Sequence, residues 1–460
     1  MLRLTNEKDK QRDIWEAILP KELLQLNEEL TIIDNMLNDE RFFSPILTKF
    51  NTKMGRPTVP VSTYLRMMYL KHRYQLGYEI LVKEVKDSFL WRRFCHLRLH
   101  DTVPDSTTLI KLTKKYGAEI VESINKLLVQ KLKEQKVIRG KKLRIDTTVV
   151  ESDIHYPTDI GLLADGVRLI TRIVKKIKST GLATRTKFQD RTRIVKKTIL
   201  RMVKVLKHRT GKSVKTVKQH AEKMLDILRQ VCEQAQAVQK NAGRKINDIS
   251  HKSTRSVRKL RKELTRVLQT STRIIKQTEK VLSGDRSIPH RAISFFDTEA
   301  RPIRKGSLSK PTEFGRKVVI QEAERGIVTG YRVVKENPED STLLRQSVRS
   351  HADLFGRSPP EIATDRGFYS SANERWLRNK GVRKISIPVR GKKDKERKEY
   401  ERQFWFRRLQ KFRAGGEAKI SLLKRKFGMG RSKMRGTEGT QIWAGWSIMA
   451  HNLWQTARVI

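Results

Sequence analysis

The chain reads as an α/β protein in three parts. An all-α N-terminal domain comes first, a core built on a mixed sheet with flanking helices follows, and a long basic helical insertion interrupts that core. Three observations predict this. Apolar residues recur at helical spacing through the first part. The period changes to two at Lys142–Val150 and returns in short Val- and Ile-rich runs after residue 290. Between them, residues 161–290 hold 34 Lys plus Arg against 9 Asp plus Glu, a net of +25, with no proline from Pro157 to Pro289. The expected boundaries are 1–135 for the helical domain, 136–160 with 291–460 for the sheet domain, and 161–290 for the insertion.

The N-terminal part places Leu23, Leu24, Leu26, Leu30, Ile33 and Met36 at helical spacing. Pro57 and Pro60 precede a helix from about Val61 to Tyr74, and a second runs from about Tyr78 to Val85. A third starts after Pro104, with Asp105 as its N-cap. Ser106, Thr107 and Thr108 fill its first turn and Lys111, Lys114 and Lys115 follow. Hydroxyls and cations on an exposed helix start suit contact with a DNA backbone or groove, so Ser106, Thr107 and Lys111 are candidate DNA-binding residues. The plainer alternative is a packed helix that merely begins there.

At Lys142–Val150, Leu143, Ile145, Thr147 and Val149 share one face, and Arg144, Asp146, Thr148 and Val150 the other. The insertion then shows helical spacing in Val167, Ile170, Ile173, Val174 and Ile177, and again in Met224, Leu225, Ile227, Leu228 and Val231. Two or more long basic helices are expected. Charge this one-sided repels itself unless a polyanion is near, which favours nucleic-acid contact over a merely solvated arm.

The last part opens on the short apolar run Ala292–Phe296. Arg316–Gln321 and Ile327–Val334 read as a hairpin around EAERG. Asp340 caps a helix through about Leu354. Glu361–Thr364 is a strand ending at Asp365, Ala372–Lys380 a helix, and Val382–Ile387 a strand. Residues 390–402 are a dense charge cluster. Gln441–Ala457 is an aromatic-rich helix whose tryptophans read as core rather than as base-stacking platforms.

Composition narrows the function. The 460 residues are 37% hydrophobic and 32% charged, enough for real cores beneath a charged exterior. Net charge is +51, with 100 Lys plus Arg against 49 Asp plus Glu. Nucleic acid is the first polyanionic partner to consider and an anionic membrane surface the second. No apolar run approaches the roughly 20 residues of a membrane span. MLRLTNEKDKQRDIW carries no apolar signal core. Cys95 and Cys232 are the only cysteines, which leaves no disulfide framework and fits a reducing, cytoplasmic setting.

Three carboxylates stand out in this basic chain. Asp146 lies inside a strand, Asp365 at the end of another, and Glu417 on a helix in FRAGGEAKISLLK. Hard oxygen donors on rigid elements are what two Mg²⁺ (or Mn²⁺) ions need for phosphoryl transfer. Arg413, Glu417 and Lys424 are spaced by four and seven residues and share a helix face, so Arg413 and Lys424 are candidate phosphate contacts. Each acid also has an ordinary reading, a turn residue for the aspartates and a surface ion pair for Glu417. Gly415 and Gly416 imply either close backbone approach or a helix that begins only near Glu417.

At these residues the chain resembles bacterial insertion-sequence transposases of the DDE type, which have a ribonuclease H-like catalytic core. The stretch GRPTVPVSTYLRMMYLKHRYQLGYEILVKEVKDSFLWRRFCHL with VPDSTTLIKL is similar to an InsH-type N-terminal transposase domain. RIDTTVVESDIHYPTD, ARPIRKG, EFGRKV, TDRGFYS and RAGGEAKISLLKRKFGMGRSKMRGTEGTQIWAGWSIMAHNL resemble successive motifs of that group. The likeness runs from about residue 40 to the C-terminus, apart from much of 165–285. It implies Asp146, Asp365 and Glu417 as catalytic and metal-binding acids, two Mg²⁺ or Mn²⁺ ions, binding of terminal inverted repeats and target DNA, DNA cleavage and joining, and action as a dimer or larger synaptic complex. Relatives carry a Tyr-Arg-Glu-Lys signature. Arg413, Glu417 and Lys424 keep its spacing, whereas Gln410 takes the Tyr position and Gly416 stands where a bulky apolar residue is common. His155 and Asp159 in HYPTD recur in such sequences and are possible site residues, although Asp159 would equally cap the following helix. Two alternatives stay open: a catalytically inactive nucleic-acid-binding protein on the same scaffold, and a ribonuclease H-like nuclease without strand transfer. Glu438, in the Gly-flanked RGTEGTQ, competes as the third acid but reads as part of a loop.

Overall fold

The structure is a computed structural model that describes residues 2–5, 20, 25–50, 57–207, 211–244, 251–285, 287–304 and 311–460. Leu23 and Leu24 lie outside the described residues. The chain forms two compact units, Met1–Asp153 with Gly315–Ile460, and Ile154–Phe314.

The first unit opens with helices, as the apolar spacing dictates. Helix α1 (Glu28–Leu37) buries Leu30, Ile33 and Met36, and Asn27 caps it by accepting from the Leu30 amide. The short α2 (Ser44–Leu47), α3 (Val61–Arg73), α4 (Tyr78–Asp87), α5 (Phe89–Phe94) and α6 (Ser106–Glu134) follow. Asp105 is the N-cap of α6, accepting from the Thr107 amide at 3.0 Å.

Strand β1 (Lys142–Ser152) is the spine of the sheet. Strands β3 (Thr312–Glu322) and β4 (Val328–Val333) form the expected hairpin, β3 antiparallel to β1 and β4 antiparallel to β3. The short β2 (Arg301–Arg304) precedes them in the chain. On the other edge of β1 lie parallel β5 (Glu361–Thr364) and beyond it parallel β6 (Lys384–Ser386). The two-residue β7 (Arg431–Ser432) pairs with the far end of β1 at Glu151 and Ser152. The β4-β3-β1-β5-β6 order is a mixed sheet. Pairing to β5 stops at Ile145 and pairing to β7 starts at Glu151, so β1 runs on past the end of β5.

Helices cover both faces, which is how a sheet of this kind hides two apolar surfaces. Leu143 and Ile145 pack against Leu343, Leu344 and Val348 of α11 (Asp340–Phe355) and Leu377 of α12 (Ser371–Asn379). Val150, Val318 and Ile320 pack against Leu423 of α14 (Phe404–Lys426) and Ala444 and Ile448 of α15 (Gly436–Ala457). The charge cluster at 390–402 contains α13 (Lys395–Arg402). Glu339, not Asp340, is the N-cap residue of α11. Helix α15 joins the N-terminal helices to the sheet: Ile442, Trp446 and Leu453 sit in one core with Tyr64, Leu65 and Ile124. Trp446 and Trp454 are buried, as core tryptophans should be.

The chain leaves the first unit after β1 and returns at Gly315, which pairs in register with Glu151. A Cβ on Gly315 would stand 2.1 Å from the Val150 carbonyl oxygen, so this crossing needs a residue without a side chain.

The second unit contains four helices among its described residues: α7 (Asp159–Lys178), α8 (Thr192–Lys207), α9 (Gly211–Arg244) and α10 (His251–Leu282). The two apolar runs of the sequence meet here. Val167, Ile170, Ile173, Val174 and Ile177 share a core with Met224, Leu225, Leu228 and Val231, and with Val257, Leu264 and Val267 of α10. Ala292–Phe296 is irregular rather than a strand, because Ala292 and Phe295 turn into this core.

Candidate active site

Two of the expected acids meet at the sheet. Ile145 and Thr364 are partners in the β1–β5 ladder. Asp146 and Asp365 each come one residue later, on strands that lie about 4.8 Å apart in such a sheet. Crevices at the carboxyl ends of parallel strands are where α/β sheets place ligands. Asp146 Oδ1 accepts from the Thr147 amide at 2.8 Å, and Asp365 Oδ1 from the Gly367 amide at 2.8 Å. Burial pushes the Asp146 carboxyl up to about 6. The charges of Asp365 and Glu417 push it the same way, while the Thr147 amide and Arg413 oppose them.

Helix α14 supplies the third acid. It runs unbroken through Gly415 and Gly416, so the helix does not begin near Glu417, and close approach is what the glycines serve. A Cβ on Gly415 would stand 3.0 Å from Arg144 Nη1, and one on Gly416 would stand 3.4 Å from Arg144 Cδ. Arg144 comes two residues before Asp146 on the same face of β1. Its guanidinium donates to the Phe412 carbonyl of α14 and to both carboxylate oxygens of buried Glu322, one of them at 2.8 Å. One arginine thus clamps the helix bearing Glu417 to the strand bearing Asp146.

The signature residues divide into two groups. Arg413 Nη2 donates to Glu417 Oε1 at 2.9 Å, one helical turn apart, and the Glu417 side chain is 67% exposed. Arg413 Nε is buried with no hydrogen-bond partner among the described residues. Lys424 lies two turns beyond Glu417 on the same helix. Gln410, in the Tyr position, faces the sheet instead: its Nε2 donates to the Ser386 carbonyl at 2.8 Å and to Ser386 Oγ at 2.9 Å. Glu438 lies in the first turn of α15, not in a loop. Its Oε1 is 3.4 Å from where a Cβ on Gly117 of α6 would stand.

The donor set suits a hard divalent cation. Asp146, Asp365 and Glu417 offer only carboxylate oxygens, and they already repel one another through Asp146. No group of three or more His, Cys, Asp and Glu among the described residues converges closely enough to hold a metal, and Glu417 is turned to Arg413.

The other candidates lie on other elements. Ser106 donates to Asp105 at 3.2 Å, and Thr107 and Lys111 are exposed on the first turns of α6. His155 and Asp159 belong to the second unit. Thr158, not Asp159, caps α7, accepting from the Gly161 amide at 3.0 Å. Asp159 is held by Arg291 at 2.6 and 2.7 Å, and His155 lies near enough to Asp165 to act on its charge.

Sequence reading missed Arg144 and Glu322, and the residues around Asp340. A Cβ on Gly367 would stand 2.9 Å from Asp365 Oδ1 and 3.1 Å from Asp340 Oδ2. Asp340 pairs with Lys317 at 3.0 Å and accepts from Thr147 Oγ1 at 3.3 Å. Only the place of Arg144, on the Asp146 face of the strand, could have signalled any of this.

Comparison with known proteins fits this geometry. A family model described as a transposase domain matches residues 19–115, and one described as a transposase DDE domain matches residues 290–453. The chain therefore carries, in order, the two domains of an insertion-sequence DDE transposase, and its enzyme class is DNA transposase. An uncharacterised protein of Rhizobium meliloti, ORF8 in the nfe locus, is 27% identical over 157 residues, covering 33% of this chain and 73% of that protein. No solved structure matches the chain. No helix among the described residues is long and apolar enough to cross a membrane.

Proposed function

We propose that this transposase binds the terminal inverted repeats of its own element, cuts DNA there, and joins the freed 3′-hydroxyl to target DNA. The observation that carries the reading is the pair Asp146 and Asp365, each one residue beyond the Ile145–Thr364 register pair, with Glu417 and Arg413 near enough to act on Asp146. The sheet domain is read as ribonuclease H-like, and the work divides among residues 1–135 for end recognition, 136–160 with 291–460 for chemistry, and 161–290 for further DNA contact.

Asp146 and Asp365, with Glu417, would hold two Mg²⁺ or Mn²⁺ ions. When bound, such ions activate an attacking oxygen and stabilise a leaving one. The chain's own groups do the rest. Arg144 holds α14 against β1 so that Glu417 stays beside Asp146. Arg413, with a buried Nε lacking a partner among the described residues, releases Glu417 and takes a phosphate, for which a guanidinium fork is well shaped. Lys424 adds charge further along the strand of DNA. Thr107 and Lys111, exposed at the start of α6, meet the element end. His155 and Asp159 support the second unit rather than touching DNA. The protein acts as a dimer or larger assembly in the bacterial cytoplasm.

The turn of Glu417 toward Arg413 favours one alternative, an inactive nucleic-acid-binding protein. Nicking of a labelled element end with Mg²⁺ separates the two. The wild type should cut, Asp146→Asn, Asp365→Asn and Glu417→Gln should lose activity by orders of magnitude while still binding ends, and Glu438→Gln should retain most of it. A wild type that binds ends and never nicks them supports the inactive reading. A dead Glu438 variant beside an active Glu417 variant reassigns the third acid.

A further inference from the structure

Helix α10 carries its cations in an ordered array. Arg255, Lys262, Gln269 and Lys276 form one series at intervals of seven residues, and Lys259, Arg266, Arg273 and Lys280 form a second, offset by four. Alternating steps of four and three keep all eight on one face of a helix. All eight are exposed, while Val257, Leu264, Val267 and Ile274 of the same helix are buried. Seven of the eight are Lys or Arg and none is acidic. Over His251–Leu282 only Glu263 and Glu279 are acidic, and both fall off the stripe. Glu279 is taken by Arg229 of α9. Among the described residues none of the seven cations forms an ion pair, and Arg273 donates only to the His290 carbonyl, at 3.1 Å.

We propose that this face of α10 is a rail for the phosphate backbone of duplex DNA. From Arg255 to Lys280 the helix rises about 37 Å at 1.5 Å per residue. That matches about one turn of B-DNA, roughly 34–36 Å. A duplex carries one charge per about 1.7 Å of axis, so phosphates lie within reach along the whole rail. Charge complementarity selects the occupant. A second copy of the same all-cationic face would be repelled, and an apolar partner would have to desolvate seven unpaired charges. The neighbouring helix α9 lacks this order, since Glu222, Asp226 and Glu233 interrupt its exposed surface. The rail carries no base-reading constellation, so it adds affinity on any sequence and leaves end recognition to other residues. The inference rests on the reading of the chain as an enzyme that acts on DNA.

The test uses the full-length protein and a random-sequence duplex titrated across a salt series. One variant carries Lys262→Gln, Arg266→Gln, Arg273→Gln and Lys276→Gln. A control carries Lys215→Gln, Lys218→Gln, Lys223→Gln and Lys240→Gln on α9, the same loss of charge from another helix. Matching circular dichroism and melting of all three proteins establishes that the fold is kept. The stripe variant should flatten the slope of log K against log salt by about 3 to 4, since each phosphate contact contributes about 0.9. The control should flatten it by less than about 1. Equal flattening by both variants would reduce the effect to net charge and overturn the rail. An unchanged slope in the stripe variant overturns it as well, and Mg²⁺-dependent nicking of element ends by the same protein then shows whether the enzymatic reading survives without it.

Discussion

Asp146 and Asp365 stand one residue beyond a register pair on neighbouring parallel strands, and the charge of one bears on the protonation of the other. Two carboxylates fixed this way by backbone ladders cannot move apart to relieve their repulsion. Burial of the Asp146 carboxyl is the larger cause and the Asp365 charge adds to it, and together they keep a proton on Asp146 up to about pH 6.

That proton gives a pH prediction. An Asp in the unfolded chain titrates near 3.9. Between about pH 4 and pH 6 the folded protein binds a proton that the unfolded chain has released, so this group's contribution to stability falls as pH rises through that window. Above it the penalty is constant, at most ~3 kcal/mol for a shift of about two units. With chelator present, Asp146→Asn should raise stability at pH 7.5 by up to that amount and give no gain below pH 4. Urea denaturation at the two pH values measures it, and equal gains at both would refute the assignment.

The Arg144–Glu322 pair is buried on both sides, with side-chain exposures of 9% and 3%. Removing one partner leaves an uncompensated charge in the interior and should cost about 3–5 kcal/mol. Arg144→Met and Glu322→Met should each show that loss. The double variant should recover much of it, because no buried charge remains. A double variant as unstable as the sum of the singles would mean that Arg144 acts only through its bond to Phe412.

Gly415 and Gly416 are adjacent yet should respond differently. Alanine in a helix interior is worth about 0.5–1 kcal/mol over glycine. Gly416→Ala meets Arg144 at ordinary contact distance, so it should gain most of that. Gly415→Ala presses on the Arg144 guanidinium at 3.0 Å and should gain nothing or lose stability. Thermal melting distinguishes the two, and equal gains would show that Arg144 yields freely.

Gly315→Ala should be far more damaging. Its Cβ would overlap the Val150 carbonyl, a backbone atom beside the last pair of the β1–β3 ladder. We expect a loss of several kcal/mol, at the upper end for single substitutions. Hydrogen exchange at Val149–Glu151 should rise with it, and protected amides there would show that the ladder accommodates the methyl group.

Much of this was legible in the sequence because it rests on local period. Alternation along Lys142–Val150 gave the central strand and its two faces, and 3.6-residue spacing gave the helices that supply both cores. The hairpin of β3 and β4 followed from Val and Ile runs on either side of EAERG. What stayed hidden depends on contacts remote in sequence. Nothing local tells that Arg144 reaches Glu322, 178 residues away. Glu438 read as loop because its glycines suggest a turn, yet the helix starts at Gly436 and packing of α15 on two cores outweighs their low propensity. Arg413, Glu417 and Lys424 were placed on one helix correctly, but spacing alone could not say that Glu417 would lean on Arg413 rather than toward the aspartates.

The pairing of Glu151 with Gly315 has a consequence for what the sheet can carry. The strands on which 161 residues depart and return are hydrogen-bonded neighbours, with Cα atoms about 5 Å apart as in any antiparallel ladder. A gap that narrow is closed by the tightest of hairpin turns. Whatever is grafted there can lengthen or shorten while the β3–β1–β5–β6 order stays as it is. The ordinary rules of antiparallel pairing thus let a DNA-processing sheet change its appendage while Asp146 stays where it is.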